Sequence, residues 1–150
     1  MWVPQDFKMV MDAIQAARAE PVPPGVLVTP YLRLDRDDPG LRIPEDARLL
    51  VESRRKPEDL VGIQMQAAIN TGPNGKVPYL YAVVLTKGRG ATWKKASRLR
   101  FDGYEVEPGG DDDYGTVVIR QETERGGYQT TPNQCRRLVH IVYNALDALK

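Results

Sequence analysis

The residues best suited to chemistry lie in one basic segment near the middle of the chain. No acidic residue occurs from Leu60 through Phe101. Within this interval, residues 87–100 combine glycines with these basic and aromatic residues: Lys87, Arg89, Trp93, Lys94, Lys95, Arg98 and Arg100. Cations and backbone amides hold phosphate groups, and an indole ring offers a surface on which a base stacks. This basic loop is therefore the candidate ligand-binding site, for phosphate or nucleic acid.

A simpler interpretation of the basic loop is a solvated connection whose charges keep a sheet edge from aggregating, and we favour it. The net charge of the chain is only +1, with 21 basic and 20 acidic residues, so there is no overall field that would attract nucleic acid. The spacing of Gly88 and Gly90 matches neither a Walker loop nor the dinucleotide fingerprint. We therefore expect no cofactor.

Three adjacent carboxylates, Asp111, Asp112 and Asp113, together with Asp102, have the oxygen ligands that calcium or magnesium prefers. Adjacent side chains seldom point at one ion, and the spacing departs from the alternating acids of a calcium loop. We favour a solvated turn here.

A second carboxylate pattern is Asp46 followed by Glu52, Ser53 and Arg54. It partly matches the carboxylate, carboxylate, lysine arrangement by which metal-dependent nucleases hold magnesium and orient water. Arginine stands where lysine is usual, and it does not give up its proton at working pH. We favour a strand that ends in a charged turn, and we assign no metal ligand.

The lone cysteine and the lone histidine, Cys135 and His140, are five residues apart in a predicted helix. This spacing puts them some 140° apart around the axis, so they do not form a catalytic pair. We expect a buried structural thiol and no catalytic residue. One cysteine also forms no internal disulfide, and one histidine excludes multi-histidine zinc sites.

The elements that must position these residues fit one domain over residues 1–150. The composition, with 41% hydrophobic and 27% charged residues, is typical of a globular domain. Residues 1–10 contain no apolar run long enough for a secretory signal or a membrane span. We therefore expect a soluble cytoplasmic protein that does not bind membranes.

Residues 61–70 decide the fold class, because apolar residues occupy the odd positions from Val61 to Ile69, while Gly62, Gln64, Gln66 and Asn70 occupy even positions. This alternation predicts a half-buried strand, paired in a hairpin with a strand over residues 77–86 across a turn at 71–76. The competing interpretation is a helix over residues 58–69 opened by Pro57, which would move the fold toward α/β.

Flanking patterns supply the other elements. Further strands are predicted at residues 26–34, 47–54, 98–106 and 114–122, with loops at 35–44 and 107–113. Pro30 suggests an edge strand or a bulge. An amphipathic helix is predicted at residues 6–19, with an apolar stripe of Phe7, Val10, Met11, Ile14 and Ala17. A second amphipathic helix is predicted from Pro132 onward, with Thr131 as its N-cap.

Together these elements predict a two-layer α+β domain: a mainly antiparallel sheet of about five or six strands, with the N- and C-terminal helices on one face. The other face, with Gln64, Gln66 and Asn70, faces water or a partner. The leading functional hypothesis is a non-enzymatic binding or assembly module for a protein partner or a second copy of the chain. The alternatives are a nucleic-acid-binding domain that uses the basic loop, and a divalent-metal-dependent hydrolase or nuclease.

Overall fold

The computed structural model describes the backbone of residues 15, 19–34, 44–72, 75–122 and 132–150, and the side chains of residues 15, 19–30, 48–66, 80–122 and 133–150. In this part of the chain the strands are β1 (Val26–Leu34), β2 (Pro44–Ser53), β3 (Leu60–Gly72), β4 (Gly75–Lys87), β5 (Tyr104–Gly110) and β6 (Tyr114–Gln121). The helices are α1 (Ala91–Ser97) and α2 (Pro132–Ala148).

The six described strands form one sheet in the order β1-β2-β3-β4-β6-β5, and every neighbouring pair is antiparallel. Helix α1 follows β4, and the chain then forms β5, which lies at the edge of the sheet beyond β6. The predicted α+β class with a mainly antiparallel sheet is therefore confirmed.

Strand β3 confirms the strand predicted from the alternation of apolar and polar residues over 61–70. Ile63 and Met65 are buried while Gln64 and Gln66 are half-buried, as expected when successive side chains point to opposite faces. The alternative helix over residues 58–69 is wrong. A register shift between Leu60 and Gly62 marks a β-bulge.

The core is one cluster in which buried residues pair in register across the strands. Leu49 lies opposite Met65, which lies opposite Ala82, and Ala82 lies opposite Ile119. The apolar stripe of α2 joins the same cluster through Cys135, Leu138, Val139, Ile141, Val142, Ala145, Leu146 and Leu149. Each large apolar side chain contributes about 1.5–3 kcal/mol on full burial, so the stripe holds α2 to the sheet.

Several predicted boundaries are confirmed by the structure. Strand β1 has the predicted bounds and is an edge strand, where the missing N–H of Pro30 is tolerated. Strands β3 and β4 form the predicted hairpin, which closes at the pair Gly72 and Gly75. Helix α2 begins at Pro132, as its fixed φ favours.

Three predicted boundaries are wrong. The strand predicted over residues 47–54 begins at Pro44, which was predicted to belong to the preceding loop. The strand predicted over residues 98–106 begins only at Tyr104, and the loop predicted over 107–113 is mostly strand, because β5 continues to Gly110. Pro108 and Gly109 pointed to a reversal, but β5 is an edge strand with solvent on one side, and such a strand accepts proline. The turn is confined to residues 111–113.

The basic loop is also corrected, because residues 91–97 inside it form helix α1. The predicted helix over residues 6–19 lies outside the described residues except at Gln15, which is helical, and at Ala19. The N-cap Thr131 and nearly all of the loop at 35–44 also lie outside them.

Candidate functional site

Helix α1, which holds most of the predicted site residues, is fixed to the end of the sheet by Trp93. The indole Nε1 donates to the carbonyl oxygens of Gly109, at 3.0 Å, and Thr116, at 3.1 Å. A Cβ atom on Gly115 would lie 2.5 Å from Cδ1 of Trp93, so the ring occupies the space that any larger side chain at residue 115 would need. Trp93 is half-buried and packs against the core, which gives it a structural role.

The first turn of α1 contains no acidic residue of its own. The carboxylate of Asp59, from the connection between β2 and β3, lies against this turn instead. Oδ1 of Asp59 accepts a hydrogen bond from the Thr92 hydroxyl at 2.6 Å, and Oδ2 accepts one from the Thr92 amide at 3.3 Å. The Thr92 hydroxyl is the main reason that the pKa of Asp59 is lowered. Asp59 therefore caps a helix to which it is not adjacent in sequence.

The cations of the basic segment are all exposed, and the structure separates them into two sets. Arg89 forms an ion pair with Asp112 at 3.3 Å, and Arg100 donates to the carbonyl oxygens of Ser97 and Leu99. In the part of the chain that the structure describes, no ion pair involves Lys87, Lys94, Lys95 or Arg98.

Lys94, Lys95 and Arg98 lie on or directly after α1, away from its buried residues Thr92 and Ala96. The structure thus brings three predicted site residues together on one exposed surface. Trp93 is directed instead toward the sheet by its hydrogen bonds to Gly109 and Thr116.

The acidic turn has a structural explanation. Oδ1 of Asp111 accepts the amide hydrogens of Asp113 and Tyr114, both at 2.9 Å. The bond from Tyr114, followed by that from Asp113, lowers the pKa of Asp111. Asp112 is directed at Arg89, and among the described residues no group of three or more acids, cysteines or histidines is placed to hold a metal ion.

The second carboxylate pattern is also accounted for where it is described. Glu52 pairs with Lys56 at 3.3 Å, and the buried Ser53 hydroxyl donates to the carbonyl of Arg55 at 3.3 Å. The Asp46 side chain lies outside the described residues. Among the residues that the structure describes, no observation favours the metal-dependent hydrolase.

Cys135 and His140 face different surroundings. Cys135 is 1% exposed, and burial raises the pKa of its thiol to about 11. His140 is exposed, and its Nε2 lies 3.1 Å from Oε2 of Glu20.

The open face of the sheet is a larger feature that the sequence only partly indicated. Along each strand, its residues alternate with those of the core. We define the open face as Arg48, Leu50, Gln64, Gln66, Tyr81, Val83, Leu85, Glu105, Glu107, Thr116, Val118 and Arg120. Apart from the exposed Glu105 and Glu107, these residues are half-buried. Gln64 and Gln66 were predicted to lie here. The rest could have been found by extending the alternation of β3 to β4 and β6.

The centre of the open face is apolar. Val83 has Gln64 opposite it on one side and Val118 on the other, and Leu50 lies opposite Gln64. Leu85 is two residues along β4 on the same face. Gln64 separates Leu50 from Val83, but Leu50 Cδ1 lies over Gly62, whose partner on β4 is Leu85. The four half-buried aliphatic side chains are therefore joined into one patch through Leu50 and Leu85.

The margin of the open face is polar and hydrogen-bonded. On one side, Gln64 Oε1 accepts from Arg48 at 3.2 Å and from Gln66 at 3.0 Å, and Tyr81 donates to Gln66 at 2.7 Å. These bonds fix the directions of four polar side chains before any partner arrives.

On the other side of the centre, Arg120 joins two acids of the edge strand. Its Nε lies 3.1 Å from Glu105 and its Nη2 lies 2.6 Å from Glu107. One cation with two acids leaves this side with a net negative charge.

A groove of about 350 Å³ lies at the start of β5, next to Tyr104, Gln121, Gln134 and Arg137. The Arg137 guanidinium lies 5.4 Å from the centre of the Tyr104 ring and donates to the carbonyl of Asp102. Burial raises the pKa of Tyr104. Arg137 is thus already engaged with the fold.

Comparison with protein-family models, with curated proteins and with solved structures finds no match to this chain. In the described part of the chain, neither helix combines the length and apolar character that crossing a membrane requires. Function must be inferred from the surfaces described above.

Proposed function

We propose that the chain is a non-enzymatic binding or assembly module and that its open face binds a protein partner. The observation that carries the proposal is the apolar centre formed by Leu50, Val83, Leu85 and Val118, with hydrogen-bonded polar groups on both sides of it. Protein interfaces have this anatomy, with an apolar centre and a polar margin.

The polar margin also lowers the cost of association. Binding usually immobilises long side chains, which costs about 0.5–1.5 kcal/mol for each one that is ordered. Gln64, Gln66 and Tyr81 are already held by hydrogen bonds within the sheet. A partner therefore meets side chains that have little freedom left to lose.

The charges of the open face favour a second copy of the chain as that partner. Arg48 on β2 and the acidic pair Glu105 and Glu107 on β5 lie on opposite sides of the apolar centre. A two-fold axis along the strands would bring β2 of one copy toward β5 of the other. Each cation would then face the acids of the second copy, while the apolar centres meet.

Sedimentation velocity on the full chain tests this proposal. We expect dimers that dissociate on dilution, and we expect Val83→Glu to give monomers because it places a charge in the apolar centre. Lys95→Glu, an exposed substitution on α1, is the control and should leave the dimer intact. A chain that stays monomeric up to about 100 μM would contradict self-association through this face.

A charge exchange tests the orientation of the two copies. Glu105→Arg should weaken the dimer, and the double variant Glu105→Arg with Arg48→Glu should recover part of the loss. Arg48 and Glu105 lie in one row across the sheet, so the proposed two-fold axis brings the two positions opposite each other. Equal weakening in the double variant would exclude this two-fold arrangement.

Two further parts of the proposal concern architecture and location. We place an N-terminal helix over residues 6–19 on the same face of the sheet as α2, since both have apolar stripes. We place the protein in the cytoplasm because its one cysteine is free and buried and needs no oxidising compartment. Fractionation of cells that produce the full chain tests the second point.

Nucleic-acid binding through α1 is a second candidate function. It is supported by the exposure of Lys94, Lys95 and Arg98, which form no ion pair in the described part of the chain. Phosphate contacts release counterions, so the affinity would fall steeply with salt.

Titration with labelled single- and double-stranded oligonucleotides tests this candidate. The triple variant Lys94→Ala, Lys95→Ala, Arg98→Ala should lower the salt slope of log K by about 0.7–0.9 for each phosphate group that the variant no longer neutralises. Arg54→Ala with Arg55→Ala removes two exposed cations from another turn and is the control. Absence of binding at low salt, or the same slope in the triple variant, would rule the candidate out.

A further inference from the structure

The two edge strands of the sheet begin with the same local sequence pattern. Strand β1 directly follows Gly25, and β5 directly follows Gly103. In both segments a valine comes three residues after the glycine and a proline comes five residues after it, namely Val28 and Pro30 in β1 and Val106 and Pro108 in β5. Among the six described strands, only β1 and β5 have a neighbour on one side alone. The same short pattern therefore lies at both edges of the sheet.

Each edge strand is entered through a turn that uses the first amide of the strand. The Val26 amide donates to the Pro23 carbonyl at 3.2 Å. The Tyr104 amide donates to the Phe101 carbonyl at 3.1 Å. The third residue of each turn is the glycine, whose φ is 78° before β1 and 80° before β5, as a type II turn requires. The two strands are therefore entered in the same way, and the hydrogens of their first amides are already used.

The hydrogen bonds at the start of each strand show which amides point away from the sheet. In an antiparallel pair, residues that exchange hydrogen bonds alternate with residues whose N–H and C=O groups point outward. The Arg54 amide donates to the Gly25 carbonyl at 2.8 Å, and the Glu122 amide donates to that of Gly103 at 2.9 Å. The register then continues without a shift past both prolines. The outward-pointing residues are therefore Val26, Val28 and Pro30 in β1, and Tyr104, Val106 and Pro108 in β5.

Few backbone donors remain for a strand that would add to either edge. The amide of the first outward residue is used by the turn, and the third outward residue is a proline, which has no N–H. Only the valine between them keeps an outward donor in this stretch. Strand pairing uses donors at successive outward positions, so it is interrupted on both sides of the valine. Both prolines are exposed, so burial in the core does not explain their presence.

We infer that Pro30 and Pro108 close the two edges of the sheet against strand addition, so that copies of the chain do not join edge to edge. Open edge strands otherwise act as templates for pairing between chains. The inference goes beyond the proposed function, because it holds whether or not the open face binds a partner. Where copies do associate, the two prolines restrict the contact to a face of the sheet.

The two edges differ in their side chains. Glu105 and Glu107 are exposed on β5, and charges on an edge strand also oppose pairing. The corresponding residues of β1 are Leu27, which is 51% exposed, and the uncharged Thr29. The β1 edge therefore depends on its proline more than the β5 edge does.

Sedimentation velocity on proline variants of the full chain tests the inference. All variants carry Val83→Glu, and Val83→Glu alone is the reference, so the result does not depend on association through the open face. Pro30→Val restores the missing donor on β1 and should pair the β1 edges of two copies, which gives about twice the reference mass at about 100 μM. Thr29→Val adds the same side chain at the neighbouring residue, whose amide already points to β2, and should leave the mass unchanged. The reference mass in Pro30→Val, or the same rise in Thr29→Val, would overturn the inference.

Opening both edges should change the kind of assembly. Pro30→Val with Pro108→Val leaves an open edge on each side of every copy, so pairing does not close and the assemblies should grow with concentration. Pro108→Val alone should raise the mass less than Pro30→Val does, because Glu105 and Glu107 still repel a second β5. A double variant that is no larger than Pro30→Val would contradict the role of Pro108.

Amide hydrogen exchange in the unmodified chain gives a readout that needs no variant to fold. Val28 and Val106 should exchange at least about tenfold faster than Leu27 and Glu105, whose amides bond to the neighbouring strand. In Pro30→Val, protection at Val28 should rise to that of Leu27. Amides of Val28 and Val106 that are already protected in the unmodified chain would show that the edges are covered in another way, which would overturn the inference.

Discussion

The hydroxyl of Thr92 and the carboxylate of Asp59 meet at 2.6 Å although 33 residues separate them in the chain. Asp59 also accepts the Lys87 amide hydrogen through its backbone carbonyl at 2.7 Å. One residue of the β2–β3 connection therefore holds both the end of β4 and the start of α1. The position of the basic helix therefore depends on Asp59 as well as on Trp93.

Asp59→Ala should lower the free energy of unfolding by about 1 kcal/mol, the usual cost of losing a helix cap. Urea denaturation at neutral pH measures the effect. Glu58→Gln changes the adjacent exposed acid and should leave the midpoint unchanged. A loss of similar size in Glu58→Gln would show that general charge, and not the cap, is responsible.

The Asp59 cap should also depend on pH in a predictable direction. Its pKa is lowered in the folded state, chiefly by the Thr92 hydroxyl, from an ordinary value of 3.8. Its contribution is therefore fully present above that ordinary value and is lost as the pH falls through the lower folded value. The stability difference between the unmodified chain and Asp59→Asn should shrink over that acidic range, and a difference that grows there would contradict the assignment.

Gly115→Ala should destabilise the fold by about 1–3 kcal/mol or more, because overpacking forces neighbours to move. The new Cβ would lie 2.4 Å from Thr86 Oγ1, 2.5 Å from Trp93 Cδ1 and 2.7 Å from the carbonyl oxygen of Gly88. Thermal unfolding is the measurement. At Gly90, where the nearest atom to a new Cβ is 3.7 Å away, the same substitution should have a much smaller effect.

Trp93→Phe keeps an aromatic ring but removes the indole donor to Gly109 and Thr116. The two carbonyl oxygens then lose this donor, and we expect a loss of about 0.5–1.5 kcal/mol in urea denaturation. Tyr114→Phe, at a residue that is 52% exposed, is the control and should be nearly neutral. If Trp93→Phe were also neutral, the indole hydrogen bonds would not be what fixes α1.

Cys135 should be unreactive in the native chain. Burial raises the pKa of its thiol from 9.0 to about 11, so at a pH below 9 the thiolate population is about a hundredfold smaller than for an ordinary thiol. Reaction with a disulfide reagent at pH 8 should be slow in buffer and fast in urea. Equal rates under the two conditions would mean that the thiol is open to solvent.

The sequence predicted those elements whose residues carry a periodic pattern. The alternation over residues 61–70 made β3 a strand, and Pro132 marked the start of α2. Helix α1 was missed because only two of its seven residues, Thr92 and Ala96, are buried, which is too few to show a period. Strand β5 was misplaced because Pro108 and Gly109 are turn residues that an edge strand also accepts.

The candidate sites also contain residues that the sequence identified and residues that only the structure could place. The sequence identified the exposed cations Lys94, Lys95 and Arg98, and the structure places them on one surface of α1. Nothing local indicated that Trp93 would bond to Gly109 and Thr116, since those partners are 16 and 23 residues away. From the sequence, only Gln64, Gln66 and Asn70 were placed on the open face, and the Asn70 side chain lies outside the described residues. The residues of the other strands carry no local pattern that shows which face they take.

By itself, then, the sequence determined what local physics controls: the alternation that makes β3 extended, the restriction of the strand containing Pro30 to an edge or a bulge, and the start of α2. The tertiary structure alone decided that Asp59 caps α1, that Trp93 lies over Gly115, and that aliphatic residues of three strands form one patch on the open face. These contacts join residues far apart in the chain. Their geometry follows from strand order and register, which no local pattern specifies.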